Sequence, residues 1–254
     1  SNLFGAIKFY KAARAQGVKP LLGAEFFLEG LDKDAVNLSR LVLLVQNKQG
    51  YLNLSELLAR AYTQNVVKSQ PVVRLAWLKE LHEGLIVLSG AQAGPVGQAL
   101  MKGDAQGARD AAMGLAALFP HRFYIELQRA GRADDEAHVG AAVKLAADLG
   151  LPVVATHPVQ FALPDDYEAH EARICIAEGE VVSSDDRRRL TPDHYFKSQA
   201  EMAALFADIP EAVANTVEIA QRCAFWVKGR KPILPRFAEG DEGQELRIQA
   251  EQGL

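Results

Sequence analysis

Apolar positions fall first into a periodic run and then into unbroken blocks. Leu3, Ile7 and Tyr10 recur at helical spacing and predict a helix over about 3–16. Gly17, suited to a left-handed cap, stops it. Leu21, Leu22 and Phe26 to Leu28 read as a strand, and Leu41 to Val45 as a continuous buried one. Tyr51, Leu54, Leu58 and Ala61 return to helical spacing, and Leu85 to Leu88 is a third strand. Asp104 is placed to cap an alanine-rich helix running to Leu118. Phe123 to Leu127 is a fourth strand. A helix marked by Val139, Val143 and Ala146 follows, with Asp134, Asp135 and Glu136 near its positive end. Val153 to Ala155 is the next strand.

This alternation predicts an α/β fold with a mostly parallel sheet, closed or open. Strands apolar without a break favour cover on both faces, as in a barrel core. After Pro164 the period becomes helical: Tyr167 to Ala177, Met202 to Phe206, then Val213, Val217 and Ala220. Ser183 to Arg189 reads as an exposed polar loop. The opening at Ser1-Asn2, already inside a helical pattern, and the closing GDEGQELRIQAEQGL suggest a piece of a longer protein.

Composition narrows the function classes. Of 254 residues, 49% are apolar and 24% charged, as expected for a globular chain with a real core. The net charge of −4 gives no global cationic field for nucleic acid or membrane. No apolar run approaches the roughly 20 residues of a membrane span, and no signal peptide opens the chain, so a cytoplasmic setting is expected. Cys175 and Cys223 lie in apolar helical patterns and read as buried free thiols.

Chemistry is expected at strand ends, where loops of a parallel α/β fold converge. The strand at Val153 runs into His157, Pro158, Val159 and Gln160, a set with little capacity for it. None of the six histidines forms an H-x-H, D-x-H or H-E-x-x-H pair. His121 and His138 read as surface residues, and His82 as a cation at a helix end. His170 shares a helical face with Asp166, beside Glu171; this is either an oriented base or a satisfied helix-start pair. SGAQAG, Ser89 to Gly94, is either an anion-binding turn or a plain small-residue turn. Arg187 to Arg189 form the densest basic run, diluted by Asp185 and Asp186, with Lys228, Arg230 and Lys231 further on.

Several segments together carry a resemblance: NLFGAIKFYKAARAQGVKPLLGAEF, LVLLVQNKQGYLNLSELL, GLIVLSG, FYIELQRAG, LPVVATHPVQF, DDYEAHEARICIAEGE and FADIPEAVANTVEIAQRC. In this order they resemble the PHP (polymerase and histidinol phosphatase) domain of bacterial replicative DNA polymerase III α subunits. The resemblance implies a distorted (β/α) barrel lacking its first strands, then a helical C-terminal portion. Residues 1–232 would be the PHP domain and 233–254, entered through KPILPRF, the start of a connection toward the polymerase palm. Sheet edges left exposed by the absent strands would favour dimerisation or local disorder.

The family's metal-binding members use strand-end ligands, of which Glu25 alone matches here. Arg40 and Ala130 stand where histidines are expected, and His157-Pro158-Val159-Gln160 replaces N-D-x-H. The resemblance therefore implies no catalytic, cofactor-binding or metal-ligating residue in this chain, and Mg²⁺ only at the palm of the whole polymerase. Implied partners are the proofreading exonuclease subunit, the rest of the polymerase III core and DNA through the full-length protein, with no membrane. Two other readings stand beside it. One is a metal-dependent phosphoesterase or 3′–5′ exonuclease with a site rearranged from Glu25, His157, Asp166 and His170. The other is a DNA-binding module using Arg187 to Arg189.

Overall fold

The computed structural model describes residues 2–29, 38–184, 186–229, 231 and 236–253. Helix α1, Ala6–Ala15, ends where Gly17 takes φ +74°. Strands β1, Gly23–Glu29, and β2, Ser39–Val45, pair antiparallel. Helix α2, Lys48–Gln64, starts where the Asn47 side chain accepts from the Gly50 amide at 3.0 Å, satisfying a donor the first turn leaves free.

The next elements escape the periodicity argument. Strands β3, Val66–Val67, and β4, Gln70–Arg74, form a hairpin around Lys68 and Ser69, both at positive φ. That backbone matches strand twist but lacks the Asn-Gly signature that announces it in a sequence. Helix α3, Leu75–Glu80, leads to β5, Leu85–Leu88.

Helices α4, Pro95–Met101, and α5, Ala105–Leu118, follow, the latter capped by Asp104 on the Gly107 amide at 2.8 Å. Then come β6, Phe123–Gln128, α6, Asp135–Leu149, and β7, Val153–Thr156. The helical remainder is α7, Tyr167–Glu178, α8, Gln199–Leu205, α9, Pro210–Arg222, and α10, Glu242–Gln252. The expected boundary after residue 232 falls within 232–235, as does most of KPILPRF. Those residues lie outside the described ones, with Asp185 and Arg230.

The strands form one sheet in the order β3-β4-β1-β2-β5-β6-β7. It is mixed rather than mostly parallel. Pairs β1–β4, β5–β6 and β6–β7 are parallel, and β1–β2, β2–β5 and β3–β4 antiparallel. The link between β1 and β2 is too short for the crossover of a dozen or more residues that a parallel pair requires. The architecture is the α/β, barrel-like arrangement with a helical part that the resemblance implies.

The two sheet faces are unequal. Ala24, Phe26, Leu28, Leu41 and Leu43 point into the main core with Leu54 and Leu57 of α2 and Leu115 of α5. The opposite face carries a smaller cluster of Ile86, Leu88, Tyr124 and Val154, closed by Ile219 of α9 and by Cys223. β5 is therefore buried throughout, whereas β1 and β2 alternate and leave Glu25 and Arg40 on the second face. Cys175 and Cys223 are buried free thiols, as the apolar patterns implied. No helix among the described residues is long and apolar enough to cross a membrane.

Candidate functional site

Parity along the strands brings five polar side chains to the second face: Glu25 from β1, Arg40 from β2, Glu126 and Gln128 from β6, and Thr156 from β7. Arg40 Nη1 lies 3.2 Å from Glu25 Oε1, and its guanidinium sits over the Phe27 ring at 5.0 Å. Glu25, the residue that the resemblance matched to a ligand, is thus engaged by Arg40.

Glu126 is buried at the centre of this face, and the sequence reading missed it. Its Oε2 accepts from the Gly90 amide at 3.0 Å, and its Oε1 from Gln128 Nε2 at 3.2 Å and from the Thr156 hydroxyl. Burial pushes its carboxyl above the usual range against these hydrogen bonds, and the charge of Glu25 adds to the rise. An acid inside the apolar FYIEL run, on the face opposite Ile125 and Leu127, was the available signal.

The SGAQAG turn serves the same carboxylate. Gly90 takes φ +79°, and a Cβ there would meet the Arg40 carbonyl at 2.1 Å. Its amide is spent on Glu126 and the Ser89 hydroxyl accepts from the Glu126 amide at 2.9 Å. The plain-turn reading is the one the geometry favours.

Beyond β6 the chain is tied down by Asp135. Its Oδ2 accepts from the Ala130 and Arg132 amides at 2.6 and 3.0 Å, and its Oδ1 from Arg132 Nε and Gln92 Nε2 at 2.8 and 3.1 Å. Ala130, where a histidine is expected, is buried and offers no donor atom. After β7, His157 donates through Nε2 to the Asp193 carbonyl at 2.6 Å, while its Nδ1 is buried without a partner among the described residues. Burial lowers its pKa, as it does for His194, which packs on Thr191.

Three sequence assignments change. His138 is buried, not on the surface: its charged neighbours Asp134, Asp135 and Glu136 obscured that it shares the inward stripe of Val139 and Ala142. Burial and nearby Arg132 lower its pKa to about 4. Asp166 and His170 do not pair. Asp166 Oδ2 accepts from the Leu163 amide at 3.0 Å, and the His170 ring lies 5.4 Å from that of Phe161 beside a cavity of about 280 Å³. Arg187 is no solvated loop residue, because it forms a buried pair with Glu171, which also accepts from the Leu190 amide at 3.1 Å. His121 is exposed, as read, and His82 rests edge-on against Phe119.

Among the described residues no three His, Cys, Asp or Glu side chains gather as a metal-binding group. Glu25 lies within β1 on the second sheet face and His157 just beyond β7, whereas Asp166 and His170 line a cavity with Gln160 and Phe161.

The model of the PHP domain family matches residues 1–130. Among curated proteins, the chain is 44% identical over 238 residues to the DNA polymerase III subunit alpha of Pseudomonas aeruginosa, covering 93% of this chain and 20% of that protein. It is 44% identical over 261 residues to that of Caulobacter vibrioides (100% and 23%). It is 47% identical over 246 residues to that of Neisseria meningitidis (94% and 21%). The chain spans about a fifth of the length of the curated relatives it matches.

Proposed function

We propose, from the premise that this chain belongs to the PHP domain family, that it serves as the PHP region of a DNA polymerase III α subunit. The whole protein, on this reading, is a DNA-directed DNA polymerase of chromosomal replication in the cytoplasm. Its nucleotidyl transfer would use Mg²⁺ at palm aspartates. Within it, this region is a structural module without metal that supports the catalytic core and docks the proofreading exonuclease subunit.

The observation that carries the reading is that Glu25, Glu126 and His157 are each already engaged by groups of the chain itself. A divalent ion needs several free anionic or imidazole ligands converging on one point. Glu25 is engaged by Arg40, the oxygens of Glu126 accept from Gly90, Gln128 and Thr156, and His157 Nε2 is committed to Asp193. The guanidinium of Arg40 also places a fixed positive charge where a cation would have to bind. These residues do not fit a divalent metal.

The test is metal content by elemental analysis of protein purified without chelator and dialysed against metal-free buffer. The reading expects less than about a tenth of an equivalent of Zn, Mn or Fe, since built sites hold their metal far more firmly. A full equivalent lost on Glu25→Gln or His157→Ala would favour the phosphoesterase or exonuclease alternative, with nuclease assays next. Pull-down of the exonuclease subunit by the intact polymerase, with and without pocket substitutions, tests the docking role.

A further inference from the structure

Between 157 and 198 no described residue belongs to either hydrophobic cluster, although Phe161, Ile174 and Cys175 are buried. Much of what orders this stretch is polar. Residues 186–194 form a strap that runs back along α7 and then crosses the ends of β6 and β7. On α7, Tyr167, Glu171 and Glu178 share one stripe of the helix. All three meet the strap: the Tyr167 hydroxyl donates to the Leu190 carbonyl at 3.1 Å, Glu171 holds Arg187 and the Leu190 amide, and Glu178 lies 3.7 Å from Arg188.

At the strand ends the ties are again hydrogen bonds. The Thr191 hydroxyl donates to the Ala130 carbonyl just beyond β6. The Asp193 carbonyl accepts from His157 Nε2 at 2.6 Å, and the His194 carbonyl from the Gln160 amide at 2.8 Å, both just beyond β7. A Cβ on Gly131 would meet Asp193 Oδ2 at 2.8 Å, so the strap lies close over the turn after β6.

Ties of this kind are exchanged for water at small net cost, whereas the sheet is held by buried apolar surface. A segment with few buried apolar contacts opens at a free energy far below that of global unfolding. The Glu171–Arg187 pair is the exception among the ties, because its two charges are nearly inaccessible and compensate each other only while the strap is down.

We infer that residues 186–194 form a lid over the ends of β6 and β7, latched by Glu171 on Arg187, that lifts as one unit while the sheet stays folded. Lifting frees His157 Nε2 and the Ala130 carbonyl. It also uncovers the side of α7 on which Cys175 lies, one turn beyond Glu171. The inference concerns the chain's own fold and does not rest on the polymerase assignment.

The experiment is labelling of the 254-residue chain with N-ethylmaleimide, each cysteine followed by mass spectrometry of its own peptide. Cys175 and Cys223 are equally inaccessible, at 3%, but Cys175 lies on α7 and Cys223 in the cluster closed by α9. With each rate divided by its value in the urea-unfolded chain, Cys175 should react at least about a hundredfold faster than Cys223. Its rate should also climb less steeply with urea, since a lifted strap exposes little surface.

Three folded variants, verified by circular dichroism, separate lifting from global unfolding. Glu171→Gln removes the latch charge and should speed Cys175 about tenfold or more. Thr191→Val loosens the far end of the strap, away from α7, and should still speed Cys175 about fivefold if the strap moves as a unit. Ile125→Val weakens the main core and should speed Cys223 about fivefold while leaving Cys175 unchanged, because those core contacts persist when the lid is up. Equal normalised rates for the two cysteines in the unsubstituted chain would overturn the inference. So would acceleration of Cys175 by Ile125→Val, or a Cys175 rate that Thr191→Val or Glu171→Gln leaves unchanged.

Discussion

Glu126 and Gly90 are joined across the ends of β6 and β5 by a hydrogen bond of 3.0 Å, from an amide whose residue tolerates no side chain to a carboxylate screened from water. The bond joins two features that look unrelated in sequence, a small-residue turn and an acid in an apolar strand. Each accounts for the other. The turn brings its amide to the strand end because Gly90 takes positive φ and packs on the Arg40 carbonyl.

Replacing that carboxylate separates its shape from its charge. Glu126→Ala leaves the Gly90 amide and the Thr156 hydroxyl without their buried acceptor and should cost about 2–4 kcal/mol in urea unfolding. Glu126→Gln keeps the volume and one acceptor oxygen and should cost less than half as much at neutral pH. The sign of the pH effect follows from the raised pKa. The folded state holds this proton more firmly than the unfolded chain. The carboxyl's contribution is therefore fully present below the ordinary Glu pKa and is lost as pH rises through the elevated folded value. Glu126→Gln should remove that decline, and a stability–pH curve unchanged by the substitution would contradict it.

The buried histidines act in the opposite direction. His138, His157 and His194 all have lowered folded pKa values, His138 to about 4. A group that binds its proton less firmly when folded stabilises above its unfolded pKa and loses that contribution as pH falls below it. Stability should therefore drop from pH about 6.5 toward about 4, with each such histidine adding up to roughly 1.4 kcal/mol per pH unit within its window. His138 faces Arg132, which opposes protonation, and Asp135, which favours it. His138→Leu should lower the acid-limb slope by about one proton. An unchanged slope in urea unfolding at pH 7 and 5 would show that His138 is not buried and neutral.

Much of this was legible in the sequence, for physical reasons. Most strands and helices carry long apolar patterns, and the Asp104 cap works as a lone acid before an alanine run should. The two-residue β3 strand carries no period to detect, and its turn uses Lys68 and Ser69 in a backbone that favours Gly and Asn. At the site, residue identity stated what donor atoms Glu25, Arg40, Ala130 and His157 have to offer. It gave no warning that Arg40 would bond Glu25, because that contact depends on the β1–β2 register, which sets Phe27 opposite Arg40 and Glu25 opposite Val42. Nor did it separate Asp166 from His170, since helical spacing allows a pair that the Leu163 amide pre-empts.

The Arg40–Glu25 pair itself should matter little to stability. Both side chains are about half exposed, at 44% and 54%, so water screens the attraction and ordering two long side chains offsets part of it. Arg40→Ala should change unfolding free energy by less than about 1 kcal/mol. Its effect should fall on the pocket's field instead. With the guanidinium gone, the negative charge near Glu126 is no longer countered, and weak uptake of Mn²⁺ or Zn²⁺ should rise above that of the unsubstituted chain in equilibrium dialysis. Uptake equal to the parent's would show that the arginine does not hold cations out.

The Glu171–Arg187 pair provides the contrasting case. Both side chains are nearly inaccessible, at 5% and 7%, and the carboxylate also accepts from the Leu190 amide, so the pair fastens the 186–190 stretch to α7. An ion left behind when its partner is removed keeps its desolvation cost and loses its compensation. Arg187→Leu and Glu171→Leu should therefore each lower the thermal midpoint clearly. Replacing both removes both charges and should recover much of the loss, since a buried ion pair is often no better than a packed apolar one. The Leu190 amide loses its acceptor in any variant without Glu171, so recovery should stop short of complete. A thermal melt of the double variant no better than the worse single one would mean that the carboxylate's bond to Leu190, rather than the ion pair, fastens the stretch.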